Sequence, residues 1–299
     1  MTPNEMREKI AKGNGFIAAL DQSGGSTPKA LIGYGYRGDE WSDEEEMFDL
    51  IHQMRSRIIS SPSFGRGKVI GAILFERTMD GTVDGKRVPQ ALVEQGVVPF
   101  IKIDKGLEDE ARGVQMMKPM PELDALLTRA KTLGVFGTKE RSVINLANPQ
   151  GIAAVVAQQF EVARKVLAHG MVPIIEPEVN IKSPERAEAD RILLAEIPKN
   201  LESVPASEQV MLKLSIPVQA GLFQPLVDHP KVLRVVALSG GYSREEACRE
   251  LAKNPGMIAS FSRALLSDLR HNQSDAEFDR TLGTAIDEIC EASTAEVAA

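Results

Sequence analysis

At 299 residues, with 43% hydrophobic and 26% charged positions, the chain has the length for one large α/β domain or two ordinary ones and the composition of a globular protein. A formal net charge of -7 argues against a nucleic-acid-binding surface but leaves room for a local basic pocket. No run approaches the roughly 20 apolar residues of a membrane span, the N-terminus Met1-Thr-Pro-Asn-Glu lacks an apolar leader core, and Cys248 and Cys290 form no metal or disulfide spacing, so a membrane-free, reducing cytoplasmic setting is the expectation.

Apolar runs of strand length recur along the chain, each followed by loop residues and a stretch of helical period. They are Gly15–Leu20, Val69–Leu74, Pro99–Asp104, Ser142–Ala147, Val172–Glu178, Val210–Ile216, Val235–Ser239 and Met257–Ser262. The runs are continuous rather than alternating, the pattern of parallel strands covered on both faces. Amphipathic candidates lie between them at Asp43–Ile59, Glu122–Leu133, Ile152–Ala168, Pro184–Ile197 and Arg244–Ala252. Ser42 stands three residues before Glu45 and Ser243 three before Glu246, each with capping-box spacing. Thr78–Pro89 and Gly33–Gly38 read as loops. Strand and helix alternating eight times predict an α/β fold, a (β/α)8 barrel occupying residues 1–299 as a single domain. A short N-terminal helix is expected at about 3–12, a C-terminal helix at about 275–291, and a frayed tail over 292–299.

In such a barrel, active sites are assembled at the C-terminal ends of the strands. Asp21 ends the first run, Glu76 follows the second, Lys102 and Asp104 lie in the third, and Lys139 and Arg141 lead into the fourth. Glu176 and Glu178 lie in the fifth, Lys213 in the sixth, Ser239-Gly240-Gly241 ends the seventh and Arg263 the eighth. Singly, Asp104, Glu76, Arg141 and Glu178 read equally well as structural ion pairs. Ser239-Gly-Gly241 together with Arg263 reads as an anion cradle of backbone N–H groups and a guanidinium. A second Gly/Ser loop, Gln22-Ser-Gly-Gly-Ser-Thr27, follows the first run and could pair with Lys102 to hold another phosphate.

Lys213, in the middle of Val210-Met-Leu-Lys-Leu-Ser-Ile216, is the anomaly among these residues. A charged amine inside an apolar strand is costly unless paired or neutral, so it reads either as a surface strand end or as a nucleophile. An ordinary lysine, with a pKa of about 10.4, is only roughly 0.1% neutral near pH 7.4. Partial desolvation and a neighbouring cation, such as that of Lys139, favour the neutral form of such an amine. Three lysines among core strands with carboxylates opposite predict amine chemistry on the carbonyl of an anionic sugar, with Glu176 or Asp21 moving protons.

Eight stretches in order resemble the class I, Schiff-base-forming fructose-bisphosphate aldolases of the shorter bacterial kind. They are Ala18-Ala-Leu-Asp-Gln-Ser23, Ala72–Glu76, Gly96–Gly106, Lys139-Glu-Arg141, Gly170–Glu178, Met211-Leu-Lys213, Leu238-Ser-Gly-Gly241 and Ser260–Leu265. The resemblance implies a lyase that cleaves fructose 1,6-bisphosphate reversibly to dihydroxyacetone phosphate and glyceraldehyde 3-phosphate in glycolysis and gluconeogenesis. It implies no metal and no cofactor. Lys213 is implied as the Schiff-base lysine, Glu176 as general acid and base, Asp21 as an aid to C3–C4 cleavage, Lys139 as the residue tuning the amine, and Glu178 as its support. Ser239, Gly240, Gly241 and Arg263 are implied at the 1-phosphate, Ser23, Ser26 and Lys102 at the 6-phosphate, and Arg141 near the substrate. The chain departs from the family in carrying Gln22 where a second acid is often found, and in ending Ala295-Glu-Val-Ala-Ala299 without a tyrosine tail.

Other readings share parts of this pattern. A metal-dependent aldolase needs histidine ligands, but the four histidines, His52, His169, His229 and His271, include no HxH or HxxxH pair. A lysine aldolase for another phosphorylated sugar, or a transaldolase, uses the same site logic, although two phosphate loops on opposite sides favour a bisphosphate. A non-catalytic barrel that binds sugar phosphates or a protein is the reading from a different class. Partners are thus small phosphorylated sugars, with neither nucleic acid nor membrane, and a homo-oligomer stays open.

Overall fold

Eight strands pair side by side in chain order, every pairing parallel, as the alternating pattern predicts. The computed structural model describes residues 1–295. The strands are β1 (Phe16–Leu20), β2 (Val69–Leu74), β3 (Val98–Lys102), β4 (Gly137–Ile144), β5 (Val172–Val179), β6 (Val210–Ser215), β7 (Val232–Leu238) and β8 (Ile258–Ala259). The N–H of Ala19 donates to the carbonyl of Phe261 at 3.1 Å, bringing the first and last strands together. The result is a (β/α)8 barrel.

Two apolar layers account for its stability. Outside the ring, helices such as Glu44–Ser60, Pro149–Ala168 and Asp275–Ser293 press their buried stripes onto the sheet. Inside, Ile17, Val98, Phe100, Val172, Ile174 and Met211 fill the lower barrel. The helix Pro3–Lys12, opened by a Thr2/Glu5 capping box, closes the N-terminal end with Met6 and Ile10. Interior positions alternate with exterior ones. Moving up β1, β3, β5 and β6, the inward series therefore changes from apolar to charged: Ile17 to Ala19 to Asp21, Phe100 to Lys102, Ile174 to Glu176, Met211 to Lys213.

Several expected boundaries move. The fourth strand begins at Gly137 rather than Ser142. Lys139 and Arg141 sit within it facing the barrel mouth, while the outward positions are Thr138, Glu140 and Ser142, so before Val143 neither face carries the apolar residues that would mark a strand. The helix Glu44–Ser60 is capped by Asp43, whose carboxylate accepts from Glu46 N–H, not by a Ser42/Glu45 box. The Ser243/Glu246 box forms as expected. Thr78–Pro89 contains a helix end, a two-stranded hairpin (Thr82–Val83 with Lys86–Arg87) and the start of the helix Val88–Glu94. The final helix runs through Ser293, with Ala292 and Ser293 buried, because the Ser293 hydroxyl accepts from the Ala259 N–H. Of the tail expected to fray, residues 296–299 lie outside the described residues. Cys248 and Cys290 are half-buried free thiols, and burial pushes Cys248 up to about 11.

Candidate active site

The charged top layer of the barrel opens into a cavity of about 690 Å³. Its floor is a chain of ion pairs. Lys213 Nζ, on β6, lies 3.2 Å from Glu176 Oε1 on β5. The other oxygen of Glu176 is 2.9 Å from Lys139 Nζ on β4, and Lys139 Nζ is 2.7 Å from Asp21 Oδ2 just past β1. All four side chains are buried, Lys213 at 4% exposure and Glu176 and Lys139 at 3%. Above them, Arg141 Nε donates to Glu178 Oε2 at 2.5 Å. The β4–β5 register, which sets Lys139 opposite Ile174 and Arg141 opposite Glu176, places these groups diagonally on one inner face.

Burial opposes every charge in this chain, and the neighbours decide the outcome. For Asp21, burial favours the neutral acid, but the Lys139, Lys213 and Lys102 ammoniums hold its carboxyl well below the usual range. Glu176 is also lowered; burial and Asp21 raise it, while Lys139, Lys213 and Arg141 prevail. Lys139 is raised despite burial because Asp21, Glu176 and Asp104 surround it. It is a fixed cation between two carboxylates.

The cavity lining contains Lys213, Glu176, Glu178, Asp21, Lys139, Arg141, Lys102, Ser23, Ser26, Ser239, Gly240 and Arg263, so twelve of the thirteen expected site residues converge. Gly241 alone is not in the lining, although a Cβ built on it would be 3.7 Å from Arg263 Nη2. Gly240 has φ +62°, and a Cβ there would lie 2.6 Å from Ile181 Cγ2, so both conformation and space favour glycine in this turn. Lys102 donates to Asp104 Oδ1 at 2.7 Å. The turn Gly24–Ser26 closes on itself, with the Ser26 hydroxyl accepting from Ser23 N–H and donating to Ser23 O. Lys102 on β3 is across the ring from the Ser239–Gly240 turn after β7, whereas the loop after β1 adjoins the β8 loop, Gln22 Nε2 donating to Ser262 Oγ. The two expected phosphate loops are therefore not simply opposite each other. Glu76 lies outside this cavity, paired with Lys105 at 3.0 Å and with Arg129, as its structural alternative implied.

A family model described as fructose-bisphosphate aldolase class-I, glycolytic, matches residues 5–215. The chain belongs to the class I fructose-bisphosphate aldolase family. The match ends at the last residue of β6, so it takes in Lys213 and stops short of the β7 and β8 loops. Among solved structures, a fructose-bisphosphate aldolase from Plasmodium falciparum is similar at a TM-score of 0.81 and 20% identity, over 99% of this chain and 96% of that one. A Schiff-base-forming fructose-1,6-bisphosphate aldolase is similar at a TM-score of 0.51 and 13% identity, over 95% and 100%. A structural-genomics target from Corynebacterium glutamicum gives 0.54 and 14%, over 97% and 92%. At these identities the likeness is one of fold.

In this aldolase-family barrel, three buried polar residues near the site escape a reading of strand ends. Arg55, on the helix Glu44–Ser60, donates to Thr78 Oγ1 at 2.8 Å and to Gln22 O at 2.5 Å, underpinning the β1 loop; burial pushes it down to about 10, against Asp21. Its signal is a charge within the apolar series Ile51, Met54, Ile58. Gln159 interrupts the buried stripe of Pro149–Ala168 in the same way. Glu140 is hidden in the unexpected first half of β4.

Proposed function

We propose that the protein is a class I fructose-1,6-bisphosphate aldolase, working through a Schiff base on Lys213. The observation that carries this reading is the contact of Glu176 with both lysines, 3.2 Å to Lys213 and 2.9 Å to Lys139, at the floor of a cavity that Lys102, Arg141 and Arg263 also line. The amine of Lys213 attacks the C2 ketone. Its proton has an acceptor within reach in Glu176, which then gives a proton to the carbinolamine hydroxyl so that water leaves and the iminium forms. The iminium takes up the electron pair of the C3–C4 bond as the C4 hydroxyl proton passes to Glu176, assisted by Asp21, releasing glyceraldehyde 3-phosphate. Protonation of the enamine at C3 and hydrolysis release dihydroxyacetone phosphate and restore Lys213.

Lys139, held charged between Asp21 and Glu176, keeps both acids ionised and ready to accept. Glu178 fixes Arg141 beside Glu176. Ser239, the Gly240–Gly241 turn and Arg263 take the 1-phosphate, and Lys102 with Ser23 and Ser26 takes the 6-phosphate. A cavity of about 690 Å³ is within the usual range for small-ligand sites.

Coupled-enzyme assay of purified protein tests this directly. Fructose 1,6-bisphosphate is expected to be cleaved at the same rate with and without EDTA, and faster than fructose 1-phosphate, which lacks the group that Lys102 would hold. Cleavage lost to chelator contradicts the mechanism; preference for another phosphorylated sugar contradicts the substrate.

A further inference from the structure

Behind the β4–β5 seam, on the face turned away from the cavity, Thr138, Glu140, Ser142 and Gln159 are each fully buried at 0% exposure. Each has a hydrogen-bonding atom without a partner among the described residues: Thr138 Oγ1, both Glu140 oxygens, Ser142 Oγ and Gln159 Nε2. Buried polar groups are nearly always satisfied, so several together mark a designed environment rather than an accident. The first three alternate with Lys139 and Arg141 along β4 and therefore point outward, toward the helix Pro149–Ala168 that carries Gln159.

Gln159 is already tied to the active site, since its Oε1 accepts from the backbone N–H of Glu176 at 2.8 Å. A backbone N–H can only donate, so the oxygen is committed and the amide NH2 must look for an acceptor elsewhere. That N–H belongs to the peptide joining Ile175 to Glu176, and Ile175 is the register partner of Glu140. A buried donor without an acceptor and a buried carboxyl without a donor thus stand at the same level of the seam. We propose that Glu140 is a positioning residue for Glu176, acting through the Gln159 carboxamide.

The inference rests on the reading of Glu176 as the proton carrier, whose two oxygens must stay divided between Lys213 and Lys139. The charged groups bearing on Glu140 are Asp104, Lys139 and Glu176. Burial, then Asp104 and Glu176, push its carboxyl well above the usual range, and Lys139 opposes them. That shift favours the protonated acid, which has one oxygen able to accept and one O–H able to donate.

Variants Glu140→Gln, Glu140→Leu and Gln159→Leu separate this role from plain packing. Supporting side chains one layer behind a site commonly change activity by about 10–100-fold. Both leucine variants are expected to lose kcat on that scale with KM nearly unchanged, and the double variant to be no worse than Gln159→Leu. Glu140→Gln, which keeps a neutral acceptor and donor, is expected to restore kcat to within about threefold with an unshifted pH profile. Isotope-edited infrared spectra should show a protonated carboxyl band in the resting wild-type enzyme that Glu140→Gln removes, and amide exchange at Glu176 should quicken in Gln159→Leu. If the leucine variants do not fold, the infrared band and the pH profile of Glu140→Gln still decide.

Wild-type kcat in Glu140→Leu, a Glu140→Gln enzyme as impaired as the leucine variant, or a band belonging only to ionised carboxylates overturns the proposal. A wild-type protein that fails to cleave fructose 1,6-bisphosphate refutes instead the reading of the site. The infrared and exchange measurements still test the tie between Glu140 and Glu176 in that event.

Discussion

Lys213→Met is expected to fold and to lose cleavage by about four orders of magnitude or more, because no residual binding energy replaces a missing covalent nucleophile. Methionine matches the length of the lysine stem within the buried strand and removes a charge that burial penalises. Glu176 keeps its second cation, Lys139, at 2.9 Å, so its carboxylate is not left alone. The net change in stability should stay within about 2 kcal/mol, the ordinary range for single substitutions. Circular dichroism with denaturant unfolding checks the first part, and steady-state cleavage the second. A folded variant that still cleaves substrate moves the nucleophile to another lysine of the cavity, Lys139 or Lys102.

Lys139→Met should act on stability as well as on rate. The substitution removes the cation in contact with both acids and leaves Asp21 with Lys213 and Lys102 nearby, and Glu176 with Lys213 at 3.2 Å and Arg141 nearby. Breaking a buried ion pair from one side typically costs about 3–5 kcal/mol. The sign of the pH dependence follows from the direction of each shift. In the wild type both carboxyls are depressed below their ordinary values of 3.8 and 4.5. Their contribution is therefore present above those values and is lost as pH falls through the lower folded ones. Lys139 is raised above 10.5, so its contribution is complete below that value and is lost only as pH rises through the folded one.

Without Lys139, burial, the largest influence on both acids, raises them, and one takes up a proton on folding. The deficit of the variant should then be greatest near pH 8 and shrink toward pH 5. Cleavage should fall by about 10²–10⁴, the usual contribution of a positioned acid–base group, since a protonated carboxyl cannot accept from the C4 hydroxyl. An equal deficit at pH 5 and pH 8 contradicts the assignment of Lys139 as the cation that keeps both acids ionised.

The barrel was legible in the sequence because seven of its strands are continuous apolar runs, and parallel strands covered on both faces need little else. β4 was misplaced by about five residues at its start because its inward residues serve the site and its outward residues are Thr138, Glu140 and Ser142. Both faces are polar, and hydrophobic pattern is silent there. The same silence hid Glu140. Asking which charges and Ser/Gly loops end strands brought twelve of the thirteen expected residues to one cavity, since alternation carries such residues to one rim. What the pattern could not supply was pairing. That Glu176 divides its oxygens between two lysines, that Lys102 is engaged by Asp104, and that Glu76 is spent on Lys105 and Arg129 depend on register and on loop paths. Arg55 and Gln159 come from helices, which a search of strand ends does not visit.

Borohydride reduction of the wild-type protein with dihydroxyacetone phosphate, followed by peptide mass analysis, tests the central claim most directly. A stable adduct on the peptide containing Lys213, with parallel irreversible loss of activity, is the expected result. No adduct on any lysine, in a preparation that cleaves fructose 1,6-bisphosphate, would contradict it.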